Sequence, residues 1–147
     1  MPNRAKSSGS SKWRILIPTA LSKEGVEILK NEPSFEIDLQ PGLNGTGLIK
    51  ALETADAVVI RSEHQIDAKT IAAAPNLRLV ARAGVGVENV DLNACTARGI
   101  VVLNTPAANS IAVAELTMAM MLALSRKIVA ADNALTFDLF RDGSSAV

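Results

Sequence analysis

The sequence is poor in cysteine and in aromatic side chains. Only one of its 147 residues is a cysteine, and aromatic residues make up 3% of the composition. The lone Cys95 excludes an internal disulfide framework and suits a reducing compartment such as the cytoplasm. A core with so few aromatic rings has to be built from aliphatic side chains and methionine. The hydrophobic fraction of 48% is sufficient for one ordinary globular domain.

An excess of charge of either sign and a long hydrophobic run are also lacking. Lys plus Arg and Asp plus Glu number 15 each, which gives no electrostatic reason to expect nucleic acid or an anionic membrane as a partner. The longest apolar stretch, residues 111–124, contains Glu115 and Thr117 and is too short to cross a bilayer. Residues 1–12 are basic and Ser-rich without an apolar core. They favour a disordered cytosolic tail over a signal peptide, with a transit peptide as the alternative.

Short runs of strand character alternate with helical patterns along the chain. The strand-like runs are residues 13–18, 35–39, 57–60, 77–81 and 100–103. Helical patterns lie between them at 21–30, 48–54, 67–74 and 91–98, and a long helix begins near Ser110 and runs into the early 130s. Asp67 can cap the third of these helices. This alternation with short connections predicts an α/β fold with a parallel sheet and helices on both faces. Ligands of such sheets bind beyond the carboxyl ends of the strands, so the loops after the third, fourth and fifth strands are candidate sites.

The loop after the third strand begins with Arg61 and Ser62. A guanidinium at a strand end can hold a carboxylate or a phosphate through two parallel hydrogen bonds. An exposed arginine that pairs with Glu63 or Asp56 is the alternative. The sole histidine, His64, follows without a recognisable partner, so we expect it to be exposed and assign it no chemistry.

The loop after the fourth strand carries two glycines, Gly84 and Gly86, on either side of Val85. Glycines let the backbone turn tightly and present consecutive N–H groups, and such a nest can bind an anionic group such as a carboxylate. An ordinary glycine-containing turn is the alternative. Asn89 stands where a dinucleotide fingerprint has its third glycine, so we do not assign this loop to the phosphates of a dinucleotide.

The loop at residues 104–110 leads into the long helix. Asn109 or Ser110 can cap this helix, and Glu115 lies in its early turns, where negative charge is favourable. Apolar residues occur almost all round the helix, which indicates partners on several sides. We expect a helix that packs between domains or subunits, with a central core helix as the alternative.

Together these motifs resemble one enzyme family. Residues 82–126 are similar to the first conserved block of the D-2-hydroxyacid dehydrogenases, and VVIRSEHQID at 58–67 resembles that family's Arg-Ser-x-Thr loop. The resemblance extends from residue 14 to about 131. Two residues depart from the family pattern: His64 replaces a threonine and Glu88 replaces an aspartate.

The resemblance implies a flavodoxin-like substrate or lid domain that is split in sequence by an inserted Rossmann domain. It suggests four segments here: a disordered tail at 1–12, the N-terminal part of the lid domain at 13–105, an inter-domain helix at 106–135, and an atypical disordered tail at 136–147. The family's dinucleotide loop and its catalytic arginine, glutamate and histidine lie later in the pattern. We therefore expect this chain to be cut off before them, and we assign no catalytic residue and no metal ligand.

The resemblance also implies roles for particular residues. Arg61 and Ser62 would approach the substrate, and the backbone of Gly84, Val85 and Gly86 would hold its carboxylate. Val85 would lie near the nicotinamide of NAD, and the cofactor would also lie close to two residues at the domain junction, Asn109 and Ser110.

The implied reaction is the NAD-dependent oxidation of a D-2-hydroxyacid to a 2-oxoacid. The match is nearest to the branch of the family that converts 3-phosphoglycerate to 3-phosphohydroxypyruvate in serine biosynthesis. We expect the isolated chain to be inactive and to self-associate through the helix at 110–131.

Other functions stay open on the sequence. The chain could be a non-catalytic NADH-sensing or dominant-negative module of the same family, or the inert product of a truncated gene. A phosphoacceptor receiver is a further flavodoxin-like alternative. It is disfavoured because the first strand ends Ile17-Pro18-Thr19, with no acidic residue to bind magnesium.

Overall fold

The computed structural model describes the backbone of residues 12–141 and the side chains as far as residue 136. Residues 1–11 of the predicted N-terminal tail and residues 142–147 of the predicted C-terminal tail lie outside the described residues.

Strands and helices alternate through the first part of the described chain. The strands are β1 (Trp13–Ile17), β2 (Phe35–Leu39), β3 (Ala57–Ile60), β4 (Leu79–Arg82) and β5 (Val101–Asn104). The helices are α1 (Lys23–Lys30), α2 (Gly45–Leu52), α3 (Ala68–Ala72), α4 (Leu92–Ala97), α5 (Ser110–Ser125) and α6 (Ile128–Arg141).

The five strands form one sheet in the order β2-β1-β3-β4-β5, and every neighbouring pair is parallel. This is the strand order of flavodoxin-like sheets, so the predicted α/β class and parallel sheet are confirmed. All strands point the same way, which brings the carboxyl ends of β3, β4 and β5 side by side at one edge of the sheet.

The two faces of the sheet are covered unequally. On one face α2, α3 and α4 pack over a large buried cluster that includes Leu52, Val58, Ile71 and Val80. On the other face α1 contributes Leu29 to a smaller cluster on β1, β2, β3 and the start of β4. Helices on both faces are therefore confirmed, but on the second face the side chains of β5 stay open. Val101 and Leu103 of that strand are 54% and 51% exposed.

Side-chain caps explain where several helices begin. Ser22 accepts a hydrogen bond from the N–H of Gly25, Asp67 from that of Thr70, and Asp91 from that of Ala94. The predicted cap at Asp67 is confirmed, and the bond from the Thr70 N–H is the main reason why the pKa of Asp67 is lowered. Gly99, with φ +66°, follows α4 in the left-handed conformation that glycine adopts at helix ends.

Two predicted helix boundaries were wrong. The second helix begins at Gly45 rather than at residue 48, and the Gly-Thr-Gly sequence of its first turn has no apolar pattern that marks a helix. The helix predicted from Ser110 into the early 130s is interrupted at Lys127, whose φ of +53° cannot continue a right-handed helix. The chain then resumes as α6 and stays helical to Arg141, so residues 136–141 do not form the predicted disordered tail.

The chain divides into two compact units, of which the first ends at Pro106 and the second begins at Ala107. The second unit contains α5 and α6. The large apolar side chains of α5 are exposed: Ile111, Val113, Leu116, Met118, Met120, Met121, Leu122 and Leu124. Among the described residues, no helix has both the length and the apolar character that crossing a membrane requires.

Candidate functional site

Hydrogen bonds join the loops that follow β3, β4 and β5. The N–H of Ala83 donates to the carbonyl of Ile60 at 2.8 Å, and the N–H of Thr105 donates to the carbonyl of Gly84 at 2.9 Å. The side-chain amide of Asn104 donates to the carbonyl of Val85 at 2.6 Å. The turn with the two glycines is therefore held on both sides by its neighbouring strands.

Asn89 connects the loop after β4 to the loop after β3. Its side-chain nitrogen donates to the carbonyls of Arg61 at 2.9 Å and His64 at 2.6 Å, and the side chain is buried. The sequence analysis considered Asn89 only as the residue that stands in place of a third glycine, and it missed this role. Its place between Val87 and Val90, which are apolar, is the one signal of burial that the sequence offers.

Arg61 and Ser62 are exposed directly after β3. The guanidinium of Arg61 forms no hydrogen bond or ion pair with the rest of the described chain. The alternative partners are engaged elsewhere, because Asp56 accepts the N–H of Arg14 and Glu63 accepts the hydroxyl of Thr19. The arginine is therefore free to meet an anionic ligand.

His64 is buried at 2% exposure, so the expectation that it is exposed was wrong. Its Nε2 lies 3.2 Å from the carbonyl oxygen of Leu43, which assigns the ring hydrogen to Nε2 because a carbonyl only accepts. Nδ1 has no hydrogen-bond partner within the described part of the chain and lies 3.8 Å from Oε1 of Glu63. The buried ring thus ties the loop after β3 to the backbone at Leu43.

Glu63 links this loop to the end of β1. The hydroxyl of Thr19 donates to Oε1 of Glu63 at 2.5 Å. This hydrogen bond is the largest of the effects that lower the pKa of Glu63, and the nearby charge of Arg61 contributes less.

The two glycines are needed for a reason other than the predicted one. Neither Gly84 nor Gly86 has a positive φ, so the left-handed conformation that glycine permits is not used in this turn. Instead, the guanidinium of Arg82 fills the space where a Cβ on Gly84 would be, and the carboxylate of Glu88 fills the corresponding space at Gly86. A Cβ at position 84 would displace a buried guanidinium, whereas a Cβ at position 86 would displace only the exposed end of Glu88.

Within the described chain the amides of Val85 and Gly86 are free, as are those of Val87, Glu88 and Asn89 further along the loop. The N–H of Gly84 donates to the carbonyl of Arg82 at 2.9 Å. The N–H groups of Val85 and Gly86 have no acceptor among residues 12–136, and Val85 is 42% exposed. Two adjacent donors beyond the carboxyl end of β4 can bind one carboxylate.

An ion pair lies beside these amides. Nη2 of Arg82 is 3.2 Å from Oε1 of Glu88, and the two side chains are 10% and 70% exposed. Nε of Arg82 is buried without a hydrogen-bond partner in the described structure. A buried positive charge is thus balanced by a carboxylate that mostly faces solvent.

The remaining predicted residues, Asn109 and Ser110, belong to the second unit. Ser110 is the first residue of α5 and Asn109 is its N-cap, but the side chain of Asn109 makes no capping hydrogen bond. The hydrogen-bonded cluster described above consists of residues of the first unit.

Other chemistry finds little support in the described chain. Within residues 12–136, no group of three or more His, Cys, Asp or Glu side chains is placed to hold a metal ion. Cys95 is buried, and burial, with a smaller contribution from Asp91, raises the pKa of its thiol. The thiol therefore stays protonated and is a poor nucleophile.

Comparison with known proteins identifies the family. Residues 15–144 match the model of the D-isomer specific 2-hydroxyacid dehydrogenase family, catalytic domain. The chain belongs to this family. The D-3-phosphoglycerate dehydrogenase of Archaeoglobus fulgidus is 40% identical over 122 residues, which are 83% of this chain and 23% of that protein. The enzyme of the same name from Mycobacterium leprae is 41% identical over 130 residues, or 88% of this chain and 24% of that protein.

Solved structures agree with this assignment. TT0316 from Thermus thermophilus has a TM-score of 0.75 at 32% identity and covers 91% of this chain and 42% of its own. The NAD⁺-bound 3-phosphoglycerate dehydrogenase of Entamoeba histolytica has a TM-score of 0.68 at 31% identity, covering 77% and 39%. The chain spans about a quarter of the length of the curated relatives it matches. Membership of the D-isomer specific 2-hydroxyacid dehydrogenases confirms the resemblance and excludes a receiver domain.

Members of this family use NAD, so we tested whether the described residues could hold a dinucleotide. A dinucleotide fold places its pyrophosphate on a glycine-rich turn between a strand and a helix. The connection from β1 to α1, residues 18–22, has no glycine, and the glycine turn after β4 leads into α4, which has six residues. The described residues therefore do not fit the phosphates of NAD.

The hydrogen bond between Thr19 and Glu63 predicts a pH effect. Valine at position 19 keeps the shape of the side chain and removes the hydroxyl, so the pKa of Glu63 should rise toward its ordinary range in an NMR carboxyl titration. A carboxylate whose pKa is lowered by folding stabilises the protein above its unfolded-state pKa and loses that contribution as the pH falls through its folded-state pKa. Wild type should therefore lose more stability on acidification than Thr19→Val.

A matched control for this experiment is Thr54→Val, because Thr54 is exposed and its hydroxyl contacts only the carbonyl of Ala51. This variant should leave the titration of Glu63 unchanged. An unaltered Glu63 titration in Thr19→Val would show that the hydroxyl does not set its pKa.

The packing around the glycine turn predicts unequal costs of two alanine substitutions. Gly84→Ala forces the buried guanidinium of Arg82 to move and should lower the free energy of unfolding by about 2 kcal/mol. Gly86→Ala meets only the exposed end of Glu88, which can swing into solvent, and should cost less than about 1 kcal/mol. Urea unfolding measures both values. Equal costs, or a cost of Gly86→Ala that persists in an Glu88→Ala background, would contradict this explanation.

Proposed function

We propose that this chain forms the substrate-binding wall of an NAD-dependent D-2-hydroxyacid dehydrogenase. One observation carries the proposal: the amides of Val85 and Gly86 lack acceptors at the carboxyl end of β4, and the exposed guanidinium of Arg61 lacks a partner at the end of the neighbouring β3. Donors at adjacent strand ends suit an anionic ligand bound across the edge of a parallel sheet.

The proposed substrate is 3-phosphoglycerate, which carries a carboxylate and a phosphate. Two adjacent backbone amides suit a carboxylate, and a guanidinium suits a phosphate through paired hydrogen bonds. In this arrangement Val85 and Gly86 hold the carboxylate, while Arg61, with Ser62 beside it, meets the phosphate. The identity of 40% to a protein named D-3-phosphoglycerate dehydrogenase supports this choice among 2-hydroxyacids.

We assign binding rather than turnover to this chain. Proton transfer to or from a hydroxyl needs an acid or base within hydrogen-bond reach of the substrate. His64 is buried, and its Nε2 faces the carbonyl of Leu43. The described residues also lack a fit for the phosphates of NAD. The chain by itself should therefore bind the acid without oxidising it, and Asn109 and Ser110 are proposed only to lie near the cofactor.

Binding can be tested by titrating the ¹⁵N-labelled chain with D-3-phosphoglycerate. The amide resonances of Val85 and Gly86 should shift first, and Arg61→Gln should weaken binding about tenfold through loss of a charge-assisted hydrogen bond. Arg126→Gln, in the second unit, is the matched control and should leave affinity unchanged. The same sample with NAD should form no NADH above buffer controls.

Two results would contradict the proposal. If the amide resonances of Val85 and Gly86 do not shift at millimolar ligand, the proposed carboxylate site is wrong. If the isolated chain forms NADH, the proposal that it binds the acid without oxidising it is wrong.

We also propose that the chain self-associates through the segment predicted at residues 110–131. The apolar side chains of α5 are exposed on all sides of the helix, and an apolar groove of about 540 Å³ lies between α5 and α6, lined by Met120, Leu124 and Val129 among others. Apolar surface of this extent on a soluble chain favours association.

Sedimentation velocity tests this association. Wild type should sediment as oligomers whose size grows with concentration, and Leu116→Glu should shift the chain toward monomer because it places a charge on α5. Ile28→Glu makes the same change at an exposed position of α1 and should have no effect. A wild-type chain that stays monomeric at every concentration would overturn the proposal.

A further inference from the structure

The two members of the ion pair beside the glycine turn differ in their exposure to solvent. Arg82 is buried at the end of β4, whereas its partner Glu88 lies mostly in solvent. Among the described residues Glu88 is the one carboxylate within ion-pair distance of Arg82, and Nε of the guanidinium has no hydrogen-bond partner there. A buried guanidinium needs a compensating negative charge, while an exposed carboxylate gains little from the pair. The arginine therefore depends on an anion more than the glutamate depends on the arginine.

Both charges border the amides that are free to bind a ligand. The guanidinium lies against Gly84, and the carboxylate lies against Gly86, each in the space of the missing Cβ. The negative charge of Glu88 therefore opposes an anion on the amide of Gly86, while the positive charge of Arg82 favours one on the same turn. The position of the Glu88 side chain decides which of the two effects the ligand meets.

We propose that Glu88 gates the anion site at Val85 and Gly86. In the free chain Glu88 supplies the negative charge that Arg82 requires. A carboxylate that binds to the two amides supplies that charge in its place, and the Glu88 side chain swings into solvent. This inference rests on the proposed function, because it concerns the same two amides and adds Arg82 and Glu88 as residues that set their affinity for anions.

The gate makes the site selective for charge. A neutral molecule of the same shape cannot compensate Arg82, so it would have to bind with Glu88 still in place. An anion exchanges one carboxylate for another and leaves the buried guanidinium paired throughout. Because the guanidinium stays paired, the exchange leaves no buried charge without a compensating one.

Glu88→Gln tests the gate, because it removes the negative charge and keeps a polar side chain of the same size beside Arg82. With D-3-phosphoglycerate as the probe, the shifts of the Val85 and Gly86 amides should give a dissociation constant about threefold lower than in wild type, as expected for loss of one nearby like charge. Arg82→Gln should weaken binding. In ¹³C spectra of wild type, the side-chain carboxyl resonance of Glu88 should shift as the ligand binds, which reports its displacement directly.

The matched control is Glu53→Gln, which makes the same charge change at the exposed C-cap of α2. Its affinity should equal that of wild type. If Glu53→Gln tightens binding as much as Glu88→Gln, the effect is one of net charge and the gate is wrong. If the shifts of Val85 and Gly86 give the same dissociation constant in wild type and in Glu88→Gln, the gate is wrong while the proposed binding site stands.

If the ligand moves neither amide in any variant, the proposed function fails and the gate falls with it. Should Arg82→Gln not fold, the comparison of Glu88→Gln with Glu53→Gln and the displacement signal of Glu88 still decide the question.

Discussion

The side chain of Asn89 ties the loop after β3 to the loop after β4, because its nitrogen donates to the carbonyls of both Arg61 and His64. The backbone adds to this connection. The carbonyl of Asn89 accepts the N–H of Ile66, and Ile66 forms an isolated parallel β-bridge with Val90. The exposed Arg61 and the free amides of Val85 and Gly86 are carried by these two loops. Without the buried carboxamide, the loops would have no side-chain bond between them.

In the candidate site, neutral groups hold the loops in place and charged groups are left for the proposed ligand. Neutral hydrogen bonds from Asn89, Asn104 and the ring of His64 hold the loops in place, and they are insensitive to ionic strength. The charged groups remain available to the proposed ligand: Arg61 is unpaired and exposed, and Arg82 is paired with an exposed carboxylate that we propose can move away. A loop held by neutral bonds keeps its geometry while its charges are rearranged, which is the preorganisation that recognition of a small anion requires.

The parts of this structure that follow local patterns could be predicted from the sequence. The uncharged run at β3 and the cap at Asp67 depend on neighbouring residues, and they were placed correctly. The burial of His64 and the role of Asn89 could not be predicted, because their carbonyl partners lie 21 to 28 residues away in sequence. The break at Lys127 carries no glycine or proline to mark it. The sequence analysis singled out the two glycines of the turn. It could not find the reason for them, because a sequence does not show in which direction the side chains of Arg82 and Glu88 point.

The unequal covering of the sheet also orders its strands by local stability. Along the row Ile15, Ala57, Leu79 and Val101, the side chains pass from buried to half exposed. Backbone hydrogen bonds with few buried apolar neighbours open at lower free energy than those of the core, so β5 detaches more readily than β1 or β3. Since Asn104 and Thr105 hold the carbonyls of Val85 and Gly84, an opening confined to β5 loosens the proposed anion-binding turn first. Any molecule that covers the open face of β5 therefore stiffens the turn without touching it.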